Sequence, residues 1–183
     1  MSLRDLNLRQ VVTPYKEKLK KIKVALFDVD GILTDGRIFY AGQEVGFNRF
    51  FHAQDGYGLK LLEKAGVKVG IITGGNSVGV KERFELLGIK HLFMGDEDKR
   101  VAYNKIKKQE NVDDAEILYM GDEFFDLPLL KKAGFAATVP NASIEIKEAV
   151  DYVTYREGGM GAVREVIDLI RHAQDITPEI EDF

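Results

Sequence analysis

An apolar run near the N-terminus, Val24-Ala25-Leu26-Phe27, ends abruptly in two acids one residue apart, Asp28-Val29-Asp30-Gly31. An extended backbone sends residues i and i+2 to the same side, so the Asp28 and Asp30 carboxylates face one small volume, and Gly31 lets the chain turn sharply behind them. A strand end that leaves its acids in water is the alternative for this segment taken alone. A calcium loop is excluded, because it needs oxygen ligands at its first, third and fifth positions and glycine at the sixth, whereas Ile32 stands fifth here and glycine fourth.

Three later segments repeat the pattern of a strand-like run ending in reactive groups. Val67–Ile72 runs into Thr73-Gly74-Gly75-Asn76-Ser77, a hydroxyl followed by small residues whose amides can approach an anion. Read alone, it is also an ordinary strand-to-helix turn with Asn76 or Ser77 as N-cap. After His91–Met94 and the acidic Gly95-Asp96-Glu97-Asp98 comes Lys99, which would bring a cation to the same rim. Glu116–Met120 leads into Gly121-Asp122-Glu123-Phe124-Phe125-Asp126, and a spacing of four across a helix start lets Asp122 and Asp126 share a face. Acids, a hydroxyl with free amides, a lysine and more acids at successive strand ends are far less expected by chance than any one of them.

The elements that must hold these groups follow from the alternation. Strand-like Val24–Phe27, Val67–Ile72, His91–Met94, Glu116–Met120 and Phe135–Thr138 are separated by helix-like stretches near 56–65, 77–87, 98–109 and 124–132. This predicts an α/β fold, a Rossmann-like three-layer sandwich with a mainly parallel sheet, whose strands deliver ligands at their carboxyl ends. Residues 36–51 break the rhythm: two aromatic-rich pieces around Ala41-Gly42-Gln43-Glu44 predict a small β-hairpin flap after the first strand, and no large cap domain follows. Leu8, Val11, Val12, Tyr15, Leu19 and Ile22 have helical spacing interrupted by Pro14, which predicts a short leader helix within 1–22 that covers a sheet edge. The expected organisation is a single domain over 1–183 with a mobile tail at about 175–183. Phe39, Tyr40, Phe47, Phe50 and Phe51 are expected to bury against the body or another subunit rather than to stack on a ligand, and His52 and His91 to be structural.

Composition removes several function classes. With no cysteine, thiolate nucleophiles, zinc–thiolate sites and disulfides are impossible. The formal net charge of -4, with both signs interspersed, offers no broad basic surface for nucleic acid or anionic lipid. A charged N-terminus without a signal-like apolar stretch, and no run of membrane-spanning length, point to a cytoplasmic chain with neither membrane nor nucleic-acid partners.

The series DVDG, ITG, a lone lysine and GDxxxD, spanning Asp28 to Asp126, resembles the motifs of the haloacid-dehalogenase phosphohydrolases. Residues 36–40 (GRIFY within DGRIFY), Gln54-Asp55-Gly56-Tyr57-Gly58 and Gly158-Gly159-Met160-Gly161-Ala162-Val163-Arg164-Glu165-Val166 are similar to the capless subgroup acting on 3-deoxy-D-manno-octulosonate 8-phosphate, in lipopolysaccharide precursor synthesis. That resemblance implies a magnesium-dependent phosphatase in which Asp28 attacks phosphorus and Asp30 first protonates the departing sugar oxygen, then deprotonates water. It further implies Mg2+ held by Asp28, Asp122 and the backbone carbonyl of Asp30, phosphoryl oxygens held by Thr73, Gly74 and Lys99, and Glu123 and Asp126 outside the ligands. Asp55, Gly56 and Tyr57 become candidates for substrate or flap contacts. The subgroup also implies a homotetramer in which residues 37–51 pack between subunits and a neighbour closes the active site over a small phosphorylated substrate.

Two positions depart from the subgroup: Gly75 stands where arginine usually follows Thr-Gly, removing an expected contact to the substrate carboxylate, and Glu123 stands where aspartate is usual. The alternative substrate is a nine-carbon keto-acid 9-phosphate. From another class, a receiver-type signalling domain shares paired acids, a hydroxyl, a lysine, magnesium and an aspartyl-phosphate, but carries its phosphoacceptor on the third strand. A non-catalytic metal-binding or assembly domain would require lost activity, which no motif here suggests, and phosphomutase chemistry lacks the cap that would retain an intermediate.

Overall fold

The computed structural model describes residues 6–179. Its centre is a six-stranded sheet whose adjacent strands all pair in parallel: β1 (Val24–Phe27), β4 (Lys68–Thr73), β5 (His91–Met94), β6 (Ile117–Met120), β7 (Phe135–Thr138) and β8 (Tyr152–Val153). The spatial order is β5-β4-β1-β6-β7-β8. Counting only these strands, this is the 3-2-1-4-5-6 order of doubly wound dinucleotide-type sheets, distinct from the 2-1-3-4-5 order of receivers. The receiver reading therefore fails on topology. The strand order reverses between β1 and β6, and ligand crevices in open α/β sheets form at such a reversal, beyond the strand carboxyl ends.

β1 and β6 are buried at every position, as strands covered on both faces must be, and their unbroken apolar runs made them readable in the sequence. Helices α3 (Ala53–Lys64) and α8 (Ala162–Ala173) pack together, with α4 (Val78–Leu86) beside α3 through Gly56, Arg83 and Leu87. The crossover from β5 back to β6 runs through α5 (Arg100–Glu110), which meets the short α6 (Leu127–Leu130); right-handed crossovers put this pair on the other face.

The leader is broken into α1 (Leu8–Val11), a 3-10 turn at Thr13–Tyr15 that carries Pro14, and α2 (Lys16–Leu19). It packs on α8, and Tyr15 meets Phe135 and Tyr152 edge-on, each at 5.6 Å between ring centroids. The helix expected near 124–132 is instead a 3-10 turn, Phe124–Asp126, followed by the four residues of α6, because Asp126 turns its carboxylate back onto the chain and Pro128 enters directly after. Two elements escaped the sequence reading, β8 and α7 (Ile144–Glu148), both too short to show a period.

Among the described residues, the segment between β1 and α3 holds only a small antiparallel hairpin, β2 (Phe39–Tyr40) with β3 (Phe47–Asn48). Residues 1–5 of the expected leader and 180–183 of the expected tail lie outside the described residues.

Candidate active site

Asp28 is the first residue beyond β1 and Asp122 the second beyond β6, so neighbouring strands bring their carboxylates together across the reversal point. Asp28 is only 2% exposed. Its Oδ1 accepts from the Val29 amide at 2.7 Å and lies 2.8 Å from Lys99 Nζ. Among the described residues no hydrogen bond reaches Oδ2.

Lys99, between β5 and α5, is fully withdrawn from solvent, and its Nζ also donates to Asp126 Oδ1 at 2.6 Å. Asp126 is saturated by protein donors. Oδ1 takes Lys99 and the hydroxyl of Tyr119; Oδ2 takes the amides of Asp122 at 3.1 Å and Glu123 at 3.0 Å. A carboxylate so occupied orients Lys99 and the Asp122 backbone. Glu123 is exposed and forms a capping box with Asp126 across the 3-10 turn.

One oxygen each from Asp28, Asp122 and Asp126 lies within 4.8 Å of the others, and Asp122 Oδ1 is buried with no partner. Gly31 makes that possible: at φ +81° it adopts a conformation open to glycine, and a methyl group there would sit 2.0 Å from Asp122 Oδ2. Three carboxylates against one ammonium leave an excess of two negative charges if all are ionised, and Asp28 and Asp126 are buried. Burial, then repulsion from Asp126, pushes the Asp28 carboxyl up to about 7 despite Lys99. Burial, then repulsion from Asp28, Asp126 and Glu123, pushes Asp122 to about 8. An orphaned carboxylate oxygen facing a second acid, with two uncompensated charges, fits a hard divalent cation held by oxygen.

The Asp30 carboxylate is not part of this cluster. It turns to the hairpin side and is held by the fork of Arg49, Nε to Oδ1 at 2.6 Å and Nη2 to Oδ2 at 2.8 Å. Of the metal set expected from the sequence, Asp28 and Asp122 converge by their side chains, and the Asp30 side chain does not. Thr73 closes β4, buried, with its Oγ1 accepting from the Gly75 amide at 3.1 Å. Gly74 follows against Glu97, and a methyl group at Gly75 would stand 3.5 Å from both Thr73 Oγ1 and Asp30 Oδ2, so the phosphate-type loop borders the acid.

The structure gives other partners to the remaining candidates. Asp55 points inward, accepting from the Arg164 amide at 2.7 Å in the first turn of α8, which makes it a cap from a distant helix rather than a flap contact. Gly56 is pressed against Arg83, and Tyr57 is exposed with Arg164 over its ring. Of the histidines, His91 pairs with Glu110 at 2.6 Å. Two residues of the site were missed from the sequence. Tyr119 sits inside an apolar strand, where nothing marks its hydroxyl, and the signal for Arg49 was an arginine between the aromatics of the hairpin's second half.

A catalytic crevice on a 3-2-1-4-5-6 sheet, with paired aspartates on adjacent strand ends and a buried lysine between them, defines a class. The chain belongs to the haloacid dehalogenase-like hydrolases, whose family model matches residues 92–167. It is 38% identical to the 3-deoxy-D-manno-octulosonate 8-phosphate phosphatase of Haemophilus influenzae over 159 residues, 87% of this chain and 88% of the relative. Among solved structures it is similar to that phosphatase from Moraxella catarrhalis in complex with magnesium, phosphate and KDO, at 40% identity and a TM-score of 0.84, covering 88% of this chain and 92% of the other. A hydrolase of subfamily III A from Legionella pneumophila matches at 43% identity and a TM-score of 0.85, covering 92% and 93%.

Proposed function

We propose that this chain is a magnesium-dependent phosphomonoesterase that hydrolyses 3-deoxy-D-manno-octulosonate 8-phosphate through an aspartyl-phosphate on Asp28, as a cytoplasmic step of lipopolysaccharide precursor synthesis. The observation that carries the reading is Asp28 itself: a buried carboxylate anchored by one oxygen to Lys99 and Val29, with its other oxygen unbonded among the described residues. A buried carboxylate with one oxygen anchored and the other unbonded supports the role of nucleophile.

An oxygen of Asp28 attacks phosphorus, the phosphorus–oxygen bond to the sugar breaks, and the departing oxygen takes a proton from Asp30. Asp30 then takes a proton from water, the water oxygen attacks phosphorus, and Asp28 is released with inorganic phosphate. Thr73, the Gly74 amide and Lys99 hold the phosphoryl oxygens; a donor placed where charge accumulates contributes ~3–4 kcal/mol in comparable sites. Asp28, Asp122 and the Asp30 carbonyl hold magnesium, which when bound supplies positive charge against the carboxylates and polarises the phosphoryl group. Asp126 fixes Lys99 and Asp122 in place.

Residues 1–183 act as one hydrolase domain with the flap at about 36–51. Its outward aromatics Phe39, Tyr40, Phe47 and Phe50 support a homotetramer in which neighbours close each site. The test is phosphate release from 3-deoxy-D-manno-octulosonate 8-phosphate and from a nine-carbon keto-acid 9-phosphate, each with magnesium and with chelator. Release from the eight-carbon ester that stops on chelation is expected. Release indifferent to chelator would overturn the metal assignment, and a higher kcat/KM on the nine-carbon ester would reassign the substrate.

A further inference from the structure

We propose that Arg49 reads the carboxylate of the substrate with the end of its guanidinium while the side of the same group holds Asp30. The inference rests on the sugar-acid phosphatase reading and assigns the group that makes the enzyme select an acid. Arg49 follows β3 on a hairpin whose neighbours face solvent, yet its own side chain is only 7% exposed because it is drawn in over the crevice.

A guanidinium carries five N–H donors in two usable forks, one along Nε and Nη2 and one across Nη1 and Nη2. The first fork is spent on Asp30, at 2.6 and 2.8 Å. On the second, the acceptor recorded among the described residues is the Phe47 carbonyl, 3.5 Å from Nη1, at the limit of a hydrogen bond. The end of a buried-edge cation is therefore left with no carboxylate of its own.

The space beside that end is kept by Gly75. A methyl group there would stand 3.1 Å from Nη2, and 3.5 Å from both Asp30 Oδ2 and Thr73 Oγ1. Any side chain at 75 would crowd the guanidinium, and with glycine there the cation, the proton-transfer acid and the phosphate-side hydroxyl border one position with no side chain between them. A phosphate ester carrying its own carboxylate is the ligand chemistry that uses all three. Position 75 lacks an arginine of its own, and the hairpin delivers one to its border.

This dual use has a chemical consequence. An acid bound end-on fixes the guanidinium, and through the first fork fixes Asp30, so recognition of the carboxylate and alignment of the proton donor are one event. A substrate without the carboxylate would leave the second fork unpaired and the Asp30 rotamer less constrained.

The test compares phosphate release from 3-deoxy-D-manno-octulosonate 8-phosphate with release from its methyl ester, which lacks only the carboxylate charge, in wild type, R49K, R49A and G75L. The expected result is a wild-type preference for the acid of about 100-fold in kcat/KM that collapses toward unity in R49A, mainly through KM. R49K keeps part of the preference, since lysine retains charge but not the fork. G75L, whose side chain presses on Nη2, displaces the end of the guanidinium and lowers the preference in the same direction. If R49A slows both substrates by one common factor, or if G75L leaves the preference intact, Arg49 serves Asp30 alone and the proposal is overturned. If wild type hydrolyses neither compound, the phosphatase reading fails and this inference falls with it.

Discussion

The floor of the crevice and the hairpin above it are built on opposite terms. On the floor, Asp28, Lys99 and Asp126 are almost wholly buried and hold one another through short charge-assisted bonds, with Tyr119 beneath. The hairpin is a two-residue ladder whose aromatics face outward, tied to the body by Phe51 against Phe84, by the Ser77 hydroxyl donating to the Phe47 carbonyl at 2.8 Å, and by Arg49 on Asp30. On the proposed reading, groups that must not move during phosphoryl transfer are placed where strands fix them, and selection is left to a segment that can change without disturbing the core.

The sharpest break between the two regions is Asp28→Asn. Removing the nucleophile should lower phosphate release by about 10⁴-fold or more, whereas the fold should persist, because the amide keeps the size of a carboxylate that burial already holds at a raised pKa. Steady-state release alongside a thermal melt checks both halves. A variant that still turns over would remove Asp28 from the chemistry.

Gly31→Ala attacks the floor by geometry. Its Cβ would occupy the position 2.0 Å from Asp122 Oδ2, and the residue would be held at φ +81°. Strain of this kind costs about 1–3 kcal/mol, and Asp122 must move aside, so weaker magnesium binding by calorimetry should accompany a lowered midpoint in denaturant. Unchanged binding would mean that Asp122 is not a ligand.

Linkage gives a third contrast. Asp28 and Asp122 titrate near 7 and 8 in the fold against 3.8 in the unfolded chain, so between those values the native state binds more protons. Stability without metal must then fall as pH rises through that window, and it is unpenalised below the unfolded value. A divalent cation favours the ionised pair, so its gain in melting temperature should be negligible near pH 5 and several degrees near pH 8. A gain independent of pH would separate the cation from these carboxylates. The hairpin, lacking such a pair, should contribute nothing to this slope.

The same division explains what could be read from the sequence. Asp28, Lys99 and Asp122 follow β1, β5 and β6 and Thr73 closes β4, strands whose apolar runs announce both the strand and its carboxyl end. The parallel sheet follows from alternation and handedness, whereas the strand order does not, since receivers share both and differ in order. Arg49 was illegible because its partner lies 19 residues away across a turn that has no period. The bond that Asp55 makes was illegible for a related reason. Its role is to cap a helix 109 residues later, and no local pattern records that. The helix expected at 124–132 failed where a carboxylate's bonds to the Asp122 and Glu123 amides outcompeted helical continuation.

The mildest perturbation belongs to the hairpin's outer face. Phe47 and Phe50 are 62% and 61% exposed, Phe39 stacks on Phe50 at 4.9 Å and Tyr40 meets Phe47 at 5.5 Å, so the two pairs form an apolar surface that the body of the chain does not cover. Such a surface is stable in water when a second copy buries it. If the chain forms the homotetramer proposed above, replacing Phe47 and Phe50 together by serine should shift the sedimenting species from tetramer toward smaller forms, with a change in the unfolding free energy of the isolated chain of about 0.5 kcal/mol or less. Because the floor is assembled without these rings, chemistry at Asp28 should survive in the dissociated chain, while KM rises if a neighbour covers the crevice as proposed. A double variant that remains a tetramer would show that the aromatic face is not the assembly surface, and would leave the hairpin with Arg49 as its one functional contact.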